Sequence, residues 1–431
     1  MGASADIYGY EKKLEWALNR LRSSSIHEAN KELIERFCRY LFANSLSLAR
    51  ILKLVREITK VSELLDKPFE QTIKDDVIEL VRKIESRTNY TEWTKRDYKY
   101  TIKRFYRFMR GTDDYPEEVR WIRLKVAKGR ILPEELLSED DIKRMVEVAR
   151  TPRNKALILV LYESGCRIGE VLSIKLRNVQ FDDYGAQLIV SGKTGMRRVR
   201  IIASAPSLAT WIDNHPMRDD LSAPLWISAG TRKRDSVLTY GDVRTLIKEI
   251  AKKAGIRKRV YPHLFRHSRA TKLANFLTEA QLKQHFGWTQ SSDMASTYVH
   301  LSGRDVDEAL LRLNGIVKGD EDREESMKVV VCSRCKAKNS PTSKFCNTCG
   351  LCLDVRTAIE LDETRKKADR LMSELMKNPR VLDVLLEGVE RLKENEQNDL
   401  SLKDETISDD SDSRNKKIQK RKDQNFVAHN R

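Results

Sequence analysis

From Ile26 to about Gly111 the chain runs through four or five helix-like segments with almost no glycine or proline to interrupt them. A stretch so poor in turn formers predicts an all-helical domain. Residues 7 to 22 before it have amphipathic helical character and read as an added packing helix or an oligomer contact. One segment, TKRDYKYTIKRFYRFMR, says more. At ~100° per residue, Tyr98, Ile102, Phe105 and Met109 share one stripe, with Arg96, Lys99, Lys103, Arg107 and Arg110 roughly opposite. Five cations with scarcely an acid among them predict a helix that tracks phosphates rather than a merely solvated face.

The overall charge agrees. A formal net charge of +17, from 81 Lys+Arg against 64 Asp+Glu, favours a polyanionic partner such as nucleic acid. An anionic membrane is the competing polyanion, but no run of ~18 apolar residues and no leader-like start occurs, so the expectation is a soluble, cytoplasmic protein with no membrane partner. At 431 residues the chain is too long for one core, and 40% hydrophobic content suffices for two or three.

Two prolines and mixed charge in YPEEVRWIRLKVAKGRILPEELL mark a linker, placed at residues 121–137, after a helical N-terminal domain at 1–120. A second domain, 138–316, opens on a capping box, Ser138 with Asp141, so a helix should start at Glu139. KALILVLYE (155–163) reads as a buried helix that Gly165 ends in a left-handed conformation. Arg167 then sits in the turn entering the next helix, beside its orphan amides, a natural anion site. QLIVSG and RVRIIA form a hairpin whose tip, Lys193 to Arg197, is cationic. The Gly-Lys-Thr there is not a nucleotide-binding loop, which would need glycine where Gln187 stands. The basic runs TRKR (231–234) and KKAGIRKR (252–259) suit added backbone contacts. His263 and His267 stand four apart, but Leu264 occupies the place of a zinc protease's glutamate, so metal ligation is set aside.

The stretch from His263 to Tyr298 gathers these parts. His263-x-x-Arg266, then Gly287-Trp288, then Tyr298, preceded by the string Gly165-Cys-Arg167-Ile-Gly-Glu170 and by Lys193, resembles the tyrosine recombinase (phage integrase) family, most of all its archaeal members. Trp288 takes a place more often held by histidine, and Tyr298 follows it by ten positions, one more than the commonest spacing. The resemblance covers roughly residues 30 to 315 and implies Arg167, Lys193, His263, Arg266, Trp288 and Tyr298 as catalytic residues. His267, His285 and His300 are read as structural or peripheral.

Past an acidic hinge at 317–329, Cys332-x2-Cys335 and Cys346-x2-Cys349 are spaced as a four-thiolate zinc site in a ribbon at 330–353, with a structural role. Cys352 is a fifth thiol that reads as a bystander or as a substitute for Cys349, and Cys38 and Cys166, far from the cluster, read as reduced core cysteines. The tail, 354–431, reads as helical to about residue 396, with a short coiled coil or oligomer contact possible, then as disordered with a basic end. The expected fold is multidomain and mainly α: a helical N-terminal domain that clamps DNA, an α-rich catalytic domain with a small antiparallel sheet, a zinc ribbon and the tail.

Cutting DNA without metal or nucleotide takes a nucleophile, a cradle for phosphate charge and a proton for the leaving oxygen. Tyr298 supplies the first, Arg167 and Arg266 forks the second and Lys193 the third, with His263 assisting proton transfer at Tyr298 and Trp288 packing or donating to the phosphate. The resemblance implies a 3′-phosphotyrosyl intermediate with no catalytic cofactor, on double-stranded attachment sites, by a homotetramer holding two duplexes. The alternatives are a type IB topoisomerase sharing this chemistry, and a non-catalytic zinc-containing DNA-binding regulator.

Overall fold

Helices do most of the building. The computed structural model describes residues 7–124, 132–192, 194–228, 236–301 and 327–378; Lys193, the TRKR run, most of the acidic hinge and the tail beyond 378 lie outside them. The chain divides into two compact units, 1–343 and 344–431.

The larger unit holds separate hydrophobic cores. Helices α1 (Tyr10–Arg22), α2 (Glu28–Ala43), α3 (Leu48–Leu65), α4 (Lys74–Glu85), α5 (Glu92–Arg110) and the short α6 (Glu117–Arg120) contribute to one of them. Its centre is aromatic: Phe37 meets Phe105 edge-on at 5.2 Å, Phe69 lies 4.6 Å from Phe105, and Tyr106 bonds Thr72. α5 starts on Thr91, whose side chain accepts from Thr94 N, and stops at Gly111 in the left-handed region.

The cations of α5 do not form an open stripe. Lys99 pairs with Glu85 at 2.7 Å, Arg110 with Glu118 at 2.9 Å, and Arg96 donates to Leu124 O. Arg107 lies over the Tyr115 ring. Lys103 departs furthest from expectation: it is buried, and its ammonium donates to the carbonyls of Arg120 and Ile122, capping the end of α6. Burial pulls its pKa down. Two of its three N–H donors go to those carbonyls, and its burial takes it off the basic face of the helix.

The second core belongs to α7 (Glu139–Val148), α8 (Pro152–Ser164), α9 (Ile168–Leu172), α10 (Ala205–Asp213), α11 (Tyr240–Lys253) and α12 (Pro262–Leu273), with a sheet β1 (Val179–Asp182), β2 (Gly185–Gly192), β3 (Gly195–Ile201). The expected hairpin is β2–β3, antiparallel with Gly192 opposite Gly195; β1 adds an outer strand. α7 begins at Glu139 on the Ser138–Asp141 box, and α8 is buried all round. Glu163, near its end, accepts from Ile202 N, Ala203 N and Ser204 N, tying α8 to the start of α10. α13 (Glu279–Phe286) and α14 (Met294–Leu301) pack a third, smaller cluster on α12.

Of the cysteine module, β4 (Val330–Val331) pairs with β5 (Lys338–Asn339), and Cys332 O accepts from Lys336 N within the first knuckle. In the smaller unit Cys346 O accepts from Gly350 N, and α15 (Val355–Met376) follows, solvent-exposed along most of its length. Among the described residues no helix is long and apolar enough to cross a membrane.

Candidate active site

Local chain rules put the site's first residue in place. α8 ends at Gly165 (φ +56), where an added Cβ would sit 2.5 Å from Phe286 Cε1. Glycine is required there both by backbone sign and by space. Two residues on, Arg167 is the N-cap of α9, as its position predicts, and its own amide donates to Glu170 Oε2 at 2.8 Å.

Glu170 is the carboxylate on which this corner turns. It is 3% exposed and accepts from Arg167 NH1 at 3.0 Å, while Arg197 of β3 adds NH1 at 3.0 Å and NH2 at 2.8 Å. Burial alone would raise the Glu170 pKa; the hydrogen bonds and charge of Arg197, then Arg167, overcome it and hold the group below the ordinary carboxylate range. Arg197 Nε donates to His285 O, so one guanidinium joins hairpin, α9 and the end of α13.

Arg266, one turn into α12, is 2% exposed and donates to Gly165 O (3.0 Å) and Phe286 O (2.7 Å). Its guanidinium lies 5.0 Å from the Phe286 ring and 5.4 Å from the Trp288 ring. Burial first, then the like charge of Arg167, draw its pKa down to about 10. Trp288 stacks in turn on Tyr298 at 5.4 Å and 4°. Tyr298 is 3% exposed, and burial pushes its pKa up to about 12 against the pull of Arg266.

The phenol's partner is a histidine, though not the expected one. His267 Nδ1 hydrogen-bonds Tyr298 Oη, and His263 stands behind it, edge to face at 4.5 Å. Burial, then His263 and Arg266, lower the His267 pKa to about 4; burial, then Arg266 and Arg167, lower that of His263. His267 is therefore neutral at pH 7, with its Nδ1 in hydrogen-bond contact with the phenol oxygen. His285, also lowered to about 4 chiefly by burial, bonds Ser164 O.

Arg167, His263, Arg266, Trp288 and Tyr298 are thus brought together, and Lys193 lies outside the described residues. The hairpin tip next to it reaches the site, since Thr194 donates to Gly287 O. Arg197 and His267 escaped the sequence reading. His267 lies one turn beyond His263 on the same helix, so i, i+4 spacing was available as a signal; Arg197 gave none, because its partner lies 27 residues away.

The Phage integrase family matches residues 135–304. Tyrosine recombinase XerD of Caulobacter vibrioides is 31% identical over 221 residues, 47% of this chain and 68% of that protein. The chain belongs to the tyrosine recombinase family. Tyrosine recombinase XerA of Pyrococcus horikoshii is 26% identical over 282 residues, 65% of this chain and 93% of that one, in line with the expected archaeal likeness. Among solved structures, the XerH site-specific recombinase in a post-cleavage complex with a palindromic difH substrate shares the fold, at TM-score 0.52 and 19% identity over 72% of this recombinase and 91% of XerH.

The matched region ends before the cysteines. The sulfurs of Cys332, Cys335, Cys346 and Cys349 lie within 4.8 Å of one another. A tetrahedral ion with Zn–S near ~2.3 Å needs sulfur pairs ~3.8 Å apart, so the four thiols fit a metal ion. Cys352 donates instead to Asp354 O.

Proposed function

We propose that this chain is a site-specific DNA recombinase that cuts and rejoins duplex DNA through a 3′-phosphotyrosyl link on Tyr298, with neither metal nor ATP in the chemistry. The reading rests on Arg266 being linked to Tyr298 through Trp288 and lying close enough to Arg167 for their like charges to act on it. Two guanidiniums that destabilise each other are a receptor for an anion: a phosphodiester between them relieves the repulsion as it binds. Arg167, partly exposed, meets the phosphate from outside, and Arg266 holds it from within.

Tyr298 Oη attacks phosphorus, the P–O5′ bond breaks, and Lys193 Nζ protonates the leaving 5′ oxygen. His263, kept neutral beside the arginines, donates to a non-bridging oxygen, and Trp288 holds the phenol ring in plane. The phosphotyrosyl bond conserves the phosphodiester's energy, so a second strand's 5′ hydroxyl reverses the step.

Arg96, Lys99, Arg107 and Arg110 exchange their present partners for DNA phosphates, and four protomers hold two duplexes in the cytoplasm. Zn²⁺ on Cys332, Cys335, Cys346 and Cys349 fixes a structural ribbon at 330–353, between a hinge at 317–329 and a tail at 354–431; the domains at 1–120 and 138–316, with the linker 121–137, surround the DNA.

Incubating the purified protein with sheared genomic DNA of its source, stopping with detergent and sequencing covalently held ends tests this. Adducts at discrete sites from wild type and none from Tyr298→Phe are expected. Adducts everywhere would favour a topoisomerase, and binding without adducts a regulator.

A further inference from the structure

We propose that His267 is a catalytic residue of this recombinase: the base that takes the nucleophile's proton as Tyr298 attacks. The inference rests on the phosphotyrosyl chemistry proposed above.

A buried phenol is a poor nucleophile while it keeps its proton, and in a site of this polarity it will not ionise beforehand. Its proton needs an acceptor in contact with Oη. His267 Nδ1 is that atom. Three features hold it there. The ring is wedged between His263 at 4.5 Å and Tyr298 at 5.9 Å. α12, which carries it, is pinned by the two Arg266 bonds to Gly165 and Phe286. Trp288 stacks on the ring of the reaction partner at 5.4 Å, fixing the plane of the phenol. His263, by contrast, meets His267 and the arginines, so two histidines one turn apart divide the work: His263 toward phosphate, His267 toward the nucleophile.

The step balances. The Tyr298 Oη–H proton passes to His267 Nδ1 as the Oη–P bond forms and P–O5′ breaks; O5′ leaves with a proton from Lys193. In rejoining, the incoming 5′ hydroxyl returns a proton to Lys193 and His267 returns one to Tyr298. Burial first, then His263 and Arg266, weakens His267 as a base in the free chain, and the bound phosphodiester supplies the negative charge that lets imidazolium form there.

The test uses full-length protein and a duplex built on a site found by adduct mapping. It is made twice, with an ordinary 5′ bridging oxygen and with sulfur there, a leaving group that needs no acid. His267→Asn keeps an oxygen where Nδ1 was but cannot hold a proton. It should bind DNA normally and cleave both substrates about 10²- to 10³-fold more slowly. Lys193→Ala should be slow on oxygen alone. His267→Ala, should the Asn variant fold poorly, should regain cleavage with added imidazole. Cleavage by His267→Asn within about threefold of wild type, rescue of it by sulfur, or no imidazole response in a folded, DNA-binding His267→Ala overturns the assignment. A His267→Ala that cleaves faster than wild type would make the histidine a latch instead. Loss of adducts from wild type as well would remove the phosphotyrosyl reading itself.

Discussion

Arg197 closes both terminal nitrogens on the Glu170 carboxylate, at 3.0 and 2.8 Å, and thereby fixes Arg167, which shares Oε1. The pair is almost wholly buried, with side chains 12% and 3% exposed. Removing one member of such a pair strands the other's charge. Arg197→Ala should lose about 3–5 kcal/mol of stability in urea unfolding, and Arg197→Lys less, since a charge remains without the fork. Cleavage should fall further than binding in the lysine variant, because Arg167 loses its register. An Arg197→Lys protein with unaltered cleavage would show that Arg167 does not depend on the pair.

Acid should loosen the catalytic core before the N-terminal helices. His267 and His285 have folded pKa values near 4, below their unfolded value of 6.5. The unfolded chain then binds protons that the folded one refuses, so stability falls as pH drops from 6.5 toward 4. Glu170, held low, adds to this: its contribution is full above the unfolded carboxylate pKa and fades as pH falls through the folded value. Melting temperature measured from pH 7 to pH 4.5 should fall, and His285→Gln, which keeps a donor for Ser164 O without a titrating ring, should flatten the slope. Equal slopes would remove His285 from the account.

What the sequence disclosed and what it hid follow from range. The starts and ends of helices are local matters, and Ser138, Gly165 and the Arg167 turn behave as their neighbours dictate. Arg266 and Tyr298 were legible because the family pattern carries them. The basic face of α5 misled for a reason of the same kind. Periodicity reports which side a residue is on and not what stands opposite, and Lys103 meets carbonyls 17 and 19 residues away. Arg197 depends on Glu170, and the choice between His263 and His267 on where α14 lays Tyr298. The first leaves no mark in local spacing, and for the second the i, i+4 pairing of the two histidines does not say which of them faces Tyr298.

Gly287 ends α13 with φ +60, and a Cβ there would come 2.8 Å from Arg197 NH1. Gly287→Ala therefore meets two costs, about 1–2 kcal/mol for a left-handed alanine and the displacement of a guanidinium. Because that guanidinium also holds Glu170 and His285 O, the damage should reach cleavage at Tyr298 while DNA affinity changes little. The measurement is single-turnover cleavage beside a binding isotherm. Loss of binding in step with cleavage would mean that the end of α13 serves the DNA surface instead.

Metal removal separates the cysteine module from the chemistry. The four sulfurs lie within 4.8 Å of one another, the spacing a single metal ion can bridge. As thiolates on Zn²⁺ they would make the folding of the knuckles conditional on metal. The purified chain should carry one zinc ion, lost in Cys332→Ser or Cys346→Ser, and a chelator should unfold residues 330–353 as read by hydrogen exchange. The core around Arg266 should keep its protection, because its bonds run to Gly165 and Phe286 and need nothing from the module. Cleavage of a short duplex should survive chelation. If it is lost while the Arg266 core stays protected, the ribbon takes part in the reaction, through DNA or through a neighbouring protomer.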